Sequence, residues 1–335
     1  MSRLLHSLYL IVLFIVIIFT ILLLISPEPV MAFEDFVTGP FSNIYNTGNL
    51  FAIAAILIIC GTGVSISFQA GLFNLGGEAQ IYSSALVGTL VGLALPEGSG
   101  FFGILVVIII SMITGAAIAT ISGFLRYRYH IHELISSFLL SGGLLSLTDF
   151  LISNTFRDSK SFLQTTSKLP ESFYLPSILP PSNLTITILI ACTVACILWF
   201  WLYKMAGGYE MRVFGLNKDF AEFGNISSRR YTILPLMING ACFGLAGALM
   251  ILSTQHAAIV GFSAGYGWNG IVIALIAANN PIMTIPAAFL LAWVETGTRT
   301  AMAGSSVSLE MSEVIRGMIL LMITLRFFKN RRSRS

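Results

Sequence analysis

Long runs of uncharged apolar residues separated by short polar connections dominate the chain, and most approach the roughly 20 residues a helix needs to cross a bilayer. They fall at about 8–25, 49–66, 79–95, 101–124, 134–152, 183–203, 232–253 and 311–325. The stretch 267–294 differs, because Asn279-Asn280-Pro281 cuts it into two pieces suited to an interrupted helical hairpin, spanning or re-entrant. The pattern predicts an all-α integral membrane protein with about ten transmembrane helical segments in one domain over residues 1–335. The first run has an apolar core longer than the roughly 7–15 residues of a secretory signal, and no Ala-x-Ala site follows, which favours a retained anchor.

Composition excludes a water-soluble globule. Of the 335 residues 56% are hydrophobic and only 10% charged, against about 25% charged in soluble domains, and the mean hydropathy is +0.87. The net charge of +3 is small, and its placement bears on orientation rather than on nucleic acid. An N-terminus on the inside gathers Arg3, Arg126, Arg128, Lys204, Arg212, Lys218, Arg229, Arg230 and the tail from Arg326 to Arg334 on the cytoplasmic side. Arg157, Lys160, Lys168 and Arg299 stay outside, and Arg316 falls near the outer end of the last span. Both termini are then cytoplasmic, in keeping with the positive-inside rule. Two connections are long. The Ser- and Pro-rich stretch 154–182 is an external loop, either a docking rim or a plain polar linker. The stretch 204–231 is cytoplasmic, and its mixed run from Tyr209 to Phe223 fits a short helix lying along the membrane face.

The second run ends in a segment, Ser65 to Gln80, where three glycines meet Gln69, Asn74, Glu78 and Gln80. Exposed to lipid, those dipoles would be unsatisfied, so the segment must face protein or a wet cavity. A second glycine-rich break, Gly261 to Gly270, follows the seventh run and carries Trp268 and Asn269. With five segments per half, the two breaks occupy corresponding positions in an inverted 5+5 repeat, the plan of many transporters. Asn74, Glu78, Gln80, Trp268 and Asn269 are accordingly candidates for lining a translocation pathway. Each also has a plainer reading: Glu78 complementing the dipole of the helix it opens, the amides tying unwound backbone together, Trp268 anchoring at the interface.

Catalytic and metal motifs fail on their spacing. There is no Gly-Lys dipeptide, hence no phosphate-cradling loop, and this chain should hydrolyse no ATP. His132-Glu133 opens like a zinc-protease motif, but Ser136 stands where the second His is required, so no metal site is expected. Gly261-x-Ser263-x-Gly265 has the letters of a nucleophile elbow, yet an apolar helix precedes it where a strand is needed. Gly88-x-x-x-Gly92 and Gly240-x-x-x-Gly244 read as helix-packing faces. No catalytic residue is assigned.

The segment Ala70-Gly-Leu-Phe-Asn-Leu-Gly-Gly-Glu-Ala-Gln80 resembles the signature of ATP-binding-cassette permeases for simple sugars, branched-chain amino acids and nucleosides. That signature usually reads Gly-Leu-Phe-Asn-Ile-Gly-x-Glu-Gly-Gln, and the Phe-Asn form is most like the larger permease of nucleoside-type importers. The stretch Arg212 to Ile226 is similar to the family's ATPase-docking segment, and Tyr266 to Ile276 to its Tyr-Gly-(aromatic)-(polar)-Gly stretch. Ala79, Phe220 and Gly224-Asn225 depart from the usual residues. The resemblance implies ATPase coupling through Arg212, Gly215, Asn217, Ala221 and Glu222. It also implies a cytoplasmic ATPase partner carrying ATP and Mg, a second permease chain in a hetero- or homodimer, and an external substrate-binding lipoprotein. The setting it implies is the bacterial cytoplasmic membrane, with no cofactor on this chain.

On this reading the chain is a permease subunit, not an enzyme, that alternates access to a central passage. No cluster of buried Arg or Asp is available to compensate a charged solute, which points to a small neutral one: a nucleoside first, then a simple sugar or flavin. The rival is a proton-coupled secondary transporter with Glu78 as proton carrier.

Overall fold

The apolar runs fold into helices whose ends fall where glycine, proline and paired polar residues interrupt them. In this computed structural model of the chain, the described residues are 28–304 and Gly317; the runs at 8–25 and 311–325, Arg3, Arg316, the basic tail and both termini lie outside them. The helices are α1 (Pro29–Thr38), α2 (Ile44–Gln69), α3 (Gly77–Ala94), α4 (Gly100–Tyr129), α5 (Glu133–Phe150), α6 (Thr187–Lys204), α7 (Ala206–Leu216), α8 (Lys218–Phe223), α9 (Ser228–Met250), α10 (Tyr266–Ile276) and α11 (Thr284–Gly304). Among the described residues there is no strand, only the isolated bridges Thr165 to Ile259 and Ser177 to Thr185.

Five helical stretches are long and apolar enough to cross a bilayer: Ile44–Gln69, Glu97–Tyr129, Glu133–Thr155, Thr187–Lys204 and Ser228–Gln255. They divide by burial. The most apolar window of the first is 89% buried and that of the last 78%, whereas the other three lie between 22% and 28%. Helices α2 and α9 therefore form the interior, and α4, α5 and α6 turn broad apolar faces outward, with Phe101, Ile113, Leu139, Leu189 and Ile197 among the exposed side chains. An outward apolar surface is what lipid or another membrane chain demands.

Residues 28–51, 180–182 and 289–304 form one compact unit, and 52–179 with 183–288 another. In the first, the Phe36 ring meets Trp293 edge-on at 5.3 Å, and the Thr300 hydroxyl donates to the Asp35 carbonyl at 2.8 Å. In the second, α4 and α9 press together through small residues. A Cβ on Gly240 would collide with the Gly115 carbonyl and one on Gly244 with that of Ser111, so the pair packs at backbone distance. Gly88 and Gly92 of α3 make room for the side chains of Ser111 and Leu169.

The long connection after α5 is an ordered strap. Its residues bond along the end of α9 and beyond: Leu175 N–H to the Leu252 carbonyl at 2.9 Å, Leu169 to His256 at 2.8 Å and Thr166 to Ala258 at 3.0 Å. Tyr174 stacks on the His256 ring at 3.6 Å, and burial, followed by the charge of Lys168, lowers the pKa of that imidazole.

Candidate functional site

Helix α2 closes at Gln69 because Gly71 adopts the left-handed conformation, with φ of +68°. Leu72 N–H bonds back to the Ser67 carbonyl at 2.9 Å and Gly71 N–H to Phe68 at 3.0 Å, the two bonds of a Schellman cap. Residues 72–76 then run without helical bonds, and side chains take up their donors. Phe73 N–H goes to Glu133 Oε1 at 3.2 Å, Leu75 N–H to Ser137 Oγ at 3.0 Å and Gly76 N–H to Asn74 Oδ1 at 2.9 Å. The amides of Asn74 and Gln80 pair in both directions, Nδ2 to Oε1 at 2.9 Å and Nε2 to Oδ1 at 3.2 Å, and both residues are buried. An unwound stretch inside an apolar protein thus keeps its polar groups satisfied, as it must where water is scarce.

The second break meets the first. Past α9 the backbone turns through His256 and Gly261, both with positive φ, and Gly265 at +83° before α10 begins. Gly265 N–H donates to Glu78 Oε1 and Gly267 N–H to Glu78 Oε2, each at 2.8 Å. One carboxylate therefore caps the N-terminus of a helix from the far end of the sequence. Gly267 is required there, because a Cβ would strike the Glu78 nitrogen. The starts of α3 and α10, the positive ends of two helix dipoles, converge on this carboxylate. One turn along α3, the Tyr82 hydroxyl donates to Asp149 Oδ1 at 2.5 Å and accepts the Gly261 N–H at 3.0 Å. Glu78 and Tyr82 lie on one helical face and grip the second break at two points. Trp268 is 45% exposed. Asn269 is buried in the first turn of α10.

The segment 206–223 touches the first break directly. It forms two helices because Asn217 is extended, with φ of −154°, and its Oδ1 caps α8 by accepting the Phe220 N–H at 3.0 Å. Gly215 of α7 lies flat on the end of α2, where a Cβ would collide with the Gln69 carbonyl, and Gly71 in turn abuts the Gly215 carbonyl. Met211, Phe214 and Ala221 sit in one buried cluster with Ile66, Ala70, Leu72, Tyr231 and Leu236. Segment and break are packed as one body. On the other side Leu216, Phe220 and Phe223 are 88%, 64% and 92% exposed, an apolar patch on a polar segment.

The site residues expected from sequence fall into two groups within the larger unit. Asn74, Glu78, Gln80, Trp268 and Asn269 lie at the two breaks, with Glu78 joining them. In the other group, the Arg212 guanidinium lies over the Tyr203 ring at 4.8 Å, Gly215 and Ala221 are packing positions, Asn217 is a helix cap and Glu222 is exposed. From the sequence Glu133 was weighed only within a zinc-protease motif, and Ser137 and Tyr82 were not singled out. Glu133 and Ser137, four apart at the start of α5, are the pair that holds residues 73–75, and their spacing as two acceptors on one helix face was the available signal. Among the described residues no three metal-ligating side chains gather.

A family model described as the permease component of branched-chain amino acid transport systems matches residues 46–324. The chain is 30% identical to the guanosine ABC transporter permease NupP of Bacillus subtilis, over 85% of this chain and 82% of that one. It is 30% identical to the probable riboflavin import permease RfuC of Treponema pallidum, over 97% and 86%. It is 26% identical to the nucleoside ABC transporter permease NupB of Lactococcus lactis, over 92% and 86%. No solved structure matches it. Permease subunits of such transporters are not themselves enzymes; ATP is used by a separate ATPase, and a substrate-binding partner completes the system. With apolar bilayer-length helices, a glycine- and amide-bearing double break and a family match over most of its length, this chain belongs to the ABC transporter permeases of the nucleoside, sugar and riboflavin type.

Proposed function

We propose that this chain is the permease subunit of a bacterial ABC importer that carries a small neutral solute inward across the cytoplasmic membrane, a nucleoside first and a simple sugar or flavin next. Its segments form two inverted halves of five with both termini in the cytoplasm, and a second permease chain completes the passage. Segment 206–223 docks on the ATPase, and an external lipoprotein delivers the solute.

The observation that carries this reading is that one carboxylate, Glu78, holds the starts of both broken helices together, while Gly215 of the docking segment rests on the first break. A shift of the docking segment is then delivered to the helix starts through the packed end of α2 and the unwound stretch 72–76 that side chains hold in place. Trp268 and Asn269 face the route: the ring is exposed, suited to stacking on a planar base or flavin, and the buried Asn269 amide beside it offers a polar group to the solute. Asn74 and Gln80, bonded to each other, shape its wall. Leu216, Phe220 and Phe223 supply the apolar anchor in the ATPase groove.

Both Glu78 oxygens accept main-chain N–H groups, and a proton carrier would have to break one of these bonds in every cycle. Solute uptake is therefore expected to follow ATP and to survive a proton uncoupler. The test is uptake of labelled guanosine into proteoliposomes holding both permease chains, ATPase and binding protein. Uptake that persists without ATP and collapses with the proton gradient would reject the proposal.

A further inference from the structure

We infer that Glu133 is a positioning residue through which the docking surface commands the first break, by an ion pair with Arg126 that the ATPase-facing segment can strengthen or release. The inference rests on the reading of residues 206–223 as the ATPase-docking segment.

Glu133 opens α5 and is fully buried, an expensive place for a carboxylate unless each oxygen is engaged. Its two oxygens face different elements. Oε1 takes the Phe73 N–H at 3.2 Å, and so holds the unwound stretch between α2 and α3. Oε2 is paired with the Arg126 guanidinium in the last turn of α4, with His132 Nδ1 at 3.4 Å. One turn along α5, Ser137 takes the Leu75 N–H, so α5 grips the unwound stretch twice from one face.

Arg126 is the variable member. Its side chain also lines a cavity of about 660 Å³ whose other wall is the docking segment, with Phe214, Lys218, Asp219 and Glu222. Burial, and after it the Arg126 charge, lowers the pKa of Lys218, so two cations face each other across this space. Lys218 pushes Arg126 toward Glu133, whereas Asp219 and Glu222 offer it alternative carboxylates. Displacement of α8 by ATPase closure changes which of these Arg126 faces. A Glu133 that loses the Arg126 cation is a buried charge without its permanent counter-charge, and its hold on Phe73 must then readjust. This is a second route from docking segment to break, separate from the Gly215 contact, and it is electrostatic where the other is steric.

The test uses the full reconstituted transporter and reads solute taken up per ATP hydrolysed. Glu133→Gln keeps an acceptor for Phe73 but cannot pair with Arg126, and it is expected to lower this ratio about fivefold while the variant still co-purifies with the ATPase. Arg126→Gln should do the same, Arg126→Lys should restore most of the ratio, and the double variant Glu133→Gln/Arg126→Gln should be no worse than the poorer single one. A Glu133→Gln ratio within about twofold of wild type overturns the inference, as do additive losses. Failure of Glu133→Gln to co-purify also overturns it, in favour of a plain folding role. Absence of ATP-driven uptake by the wild-type transporter would instead reject the transport reading, and this inference with it.

Discussion

Glu78 takes its partners from residues 187 and 189 positions away, and this distance sets what its replacement should do. A hydrogen bond to a charged group contributes about 1.5–3 kcal/mol, so Glu78→Ala, which strips both N–H groups of their acceptor, is expected to destabilise the chain by about 3 kcal/mol or more. Glu78→Gln keeps one acceptor oxygen and should cost about half as much. Thermal unfolding in detergent checks the order, wild type above Gln above Ala; equal midpoints for all three would contradict the cap. The sequence shows a carboxylate after two glycines at a helix start and suggests service to its own helix dipole. That it serves α10 could not be read locally, because only the tertiary fold brings Gly265 and Gly267 to it. Glu133 was hidden for a related reason: its neighbour His132 drew it into a zinc-ligand comparison, while its real work is done on a main-chain N–H sixty residues earlier.

Among the described residues, hydropathy located the apolar helices but not their ends. The run at 49–66 is the middle of α2, which extends over Ile44–Gln69 because Asn43 and Ser42 side chains arrange its start and the Gly71 cap its end. The run from Tyr209 to Phe223 suggested one surface helix, and the structure has two, because the extended Asn217 both ends α7 and caps α8. The glycine-rich breaks were legible as breaks, since no lipid-facing helix tolerates such a run of amides. Their meeting was not legible: the sequence placed them only at corresponding positions of an inverted repeat, and the contact through Glu78 comes from the tertiary fold. Two predictions belong here. Changing Leu216, Phe220 and Phe223 together to Ser removes exposed apolar surface and nothing buried, so the fold should persist while ATPase co-purification falls at least about tenfold. Retention of the ATPase would show that it docks elsewhere. Phe214→Ala empties part of a buried cluster and is expected to cost about 3–5 kcal/mol, visible as a lower unfolding midpoint and reduced yield. An unchanged midpoint would mean that the docking segment is not packed on α2 in solution.

For the whole molecule, the two long connections should lie on opposite sides of the membrane. Phe162, at the tip of the strap after α5, and Phe223, at the end of α8, are both fully or nearly fully exposed and tolerate replacement. In intact cells a membrane-impermeant maleimide should label Phe162→Cys at once, and Phe223→Cys only after permeabilisation, in a background lacking the four native cysteines. Labelling of both from outside would contradict the inside placement of the positive connections. Composition and hydropathy were enough to place the chain in a membrane, and the resemblance of residues 70–80 and 212–226 was enough to suggest its family. On the proposed reading the solute is selected by side chains around Trp268 and Asn269, whose grouping depends on the tertiary fold rather than on hydropathy.

The most direct measurement is ATP-driven guanosine uptake by reconstituted transporters carrying Gly215→Val in this chain. The substitution drives a branched side chain into the Gln69 carbonyl and the Ala70 backbone, parting segment 206–223 from the first break without altering the exposed Leu216, Phe220 and Phe223 side chains themselves. The ATPase is expected still to bind and to hydrolyse ATP while uptake falls at least about tenfold. Uptake equal to wild type with the ATPase bound would contradict it.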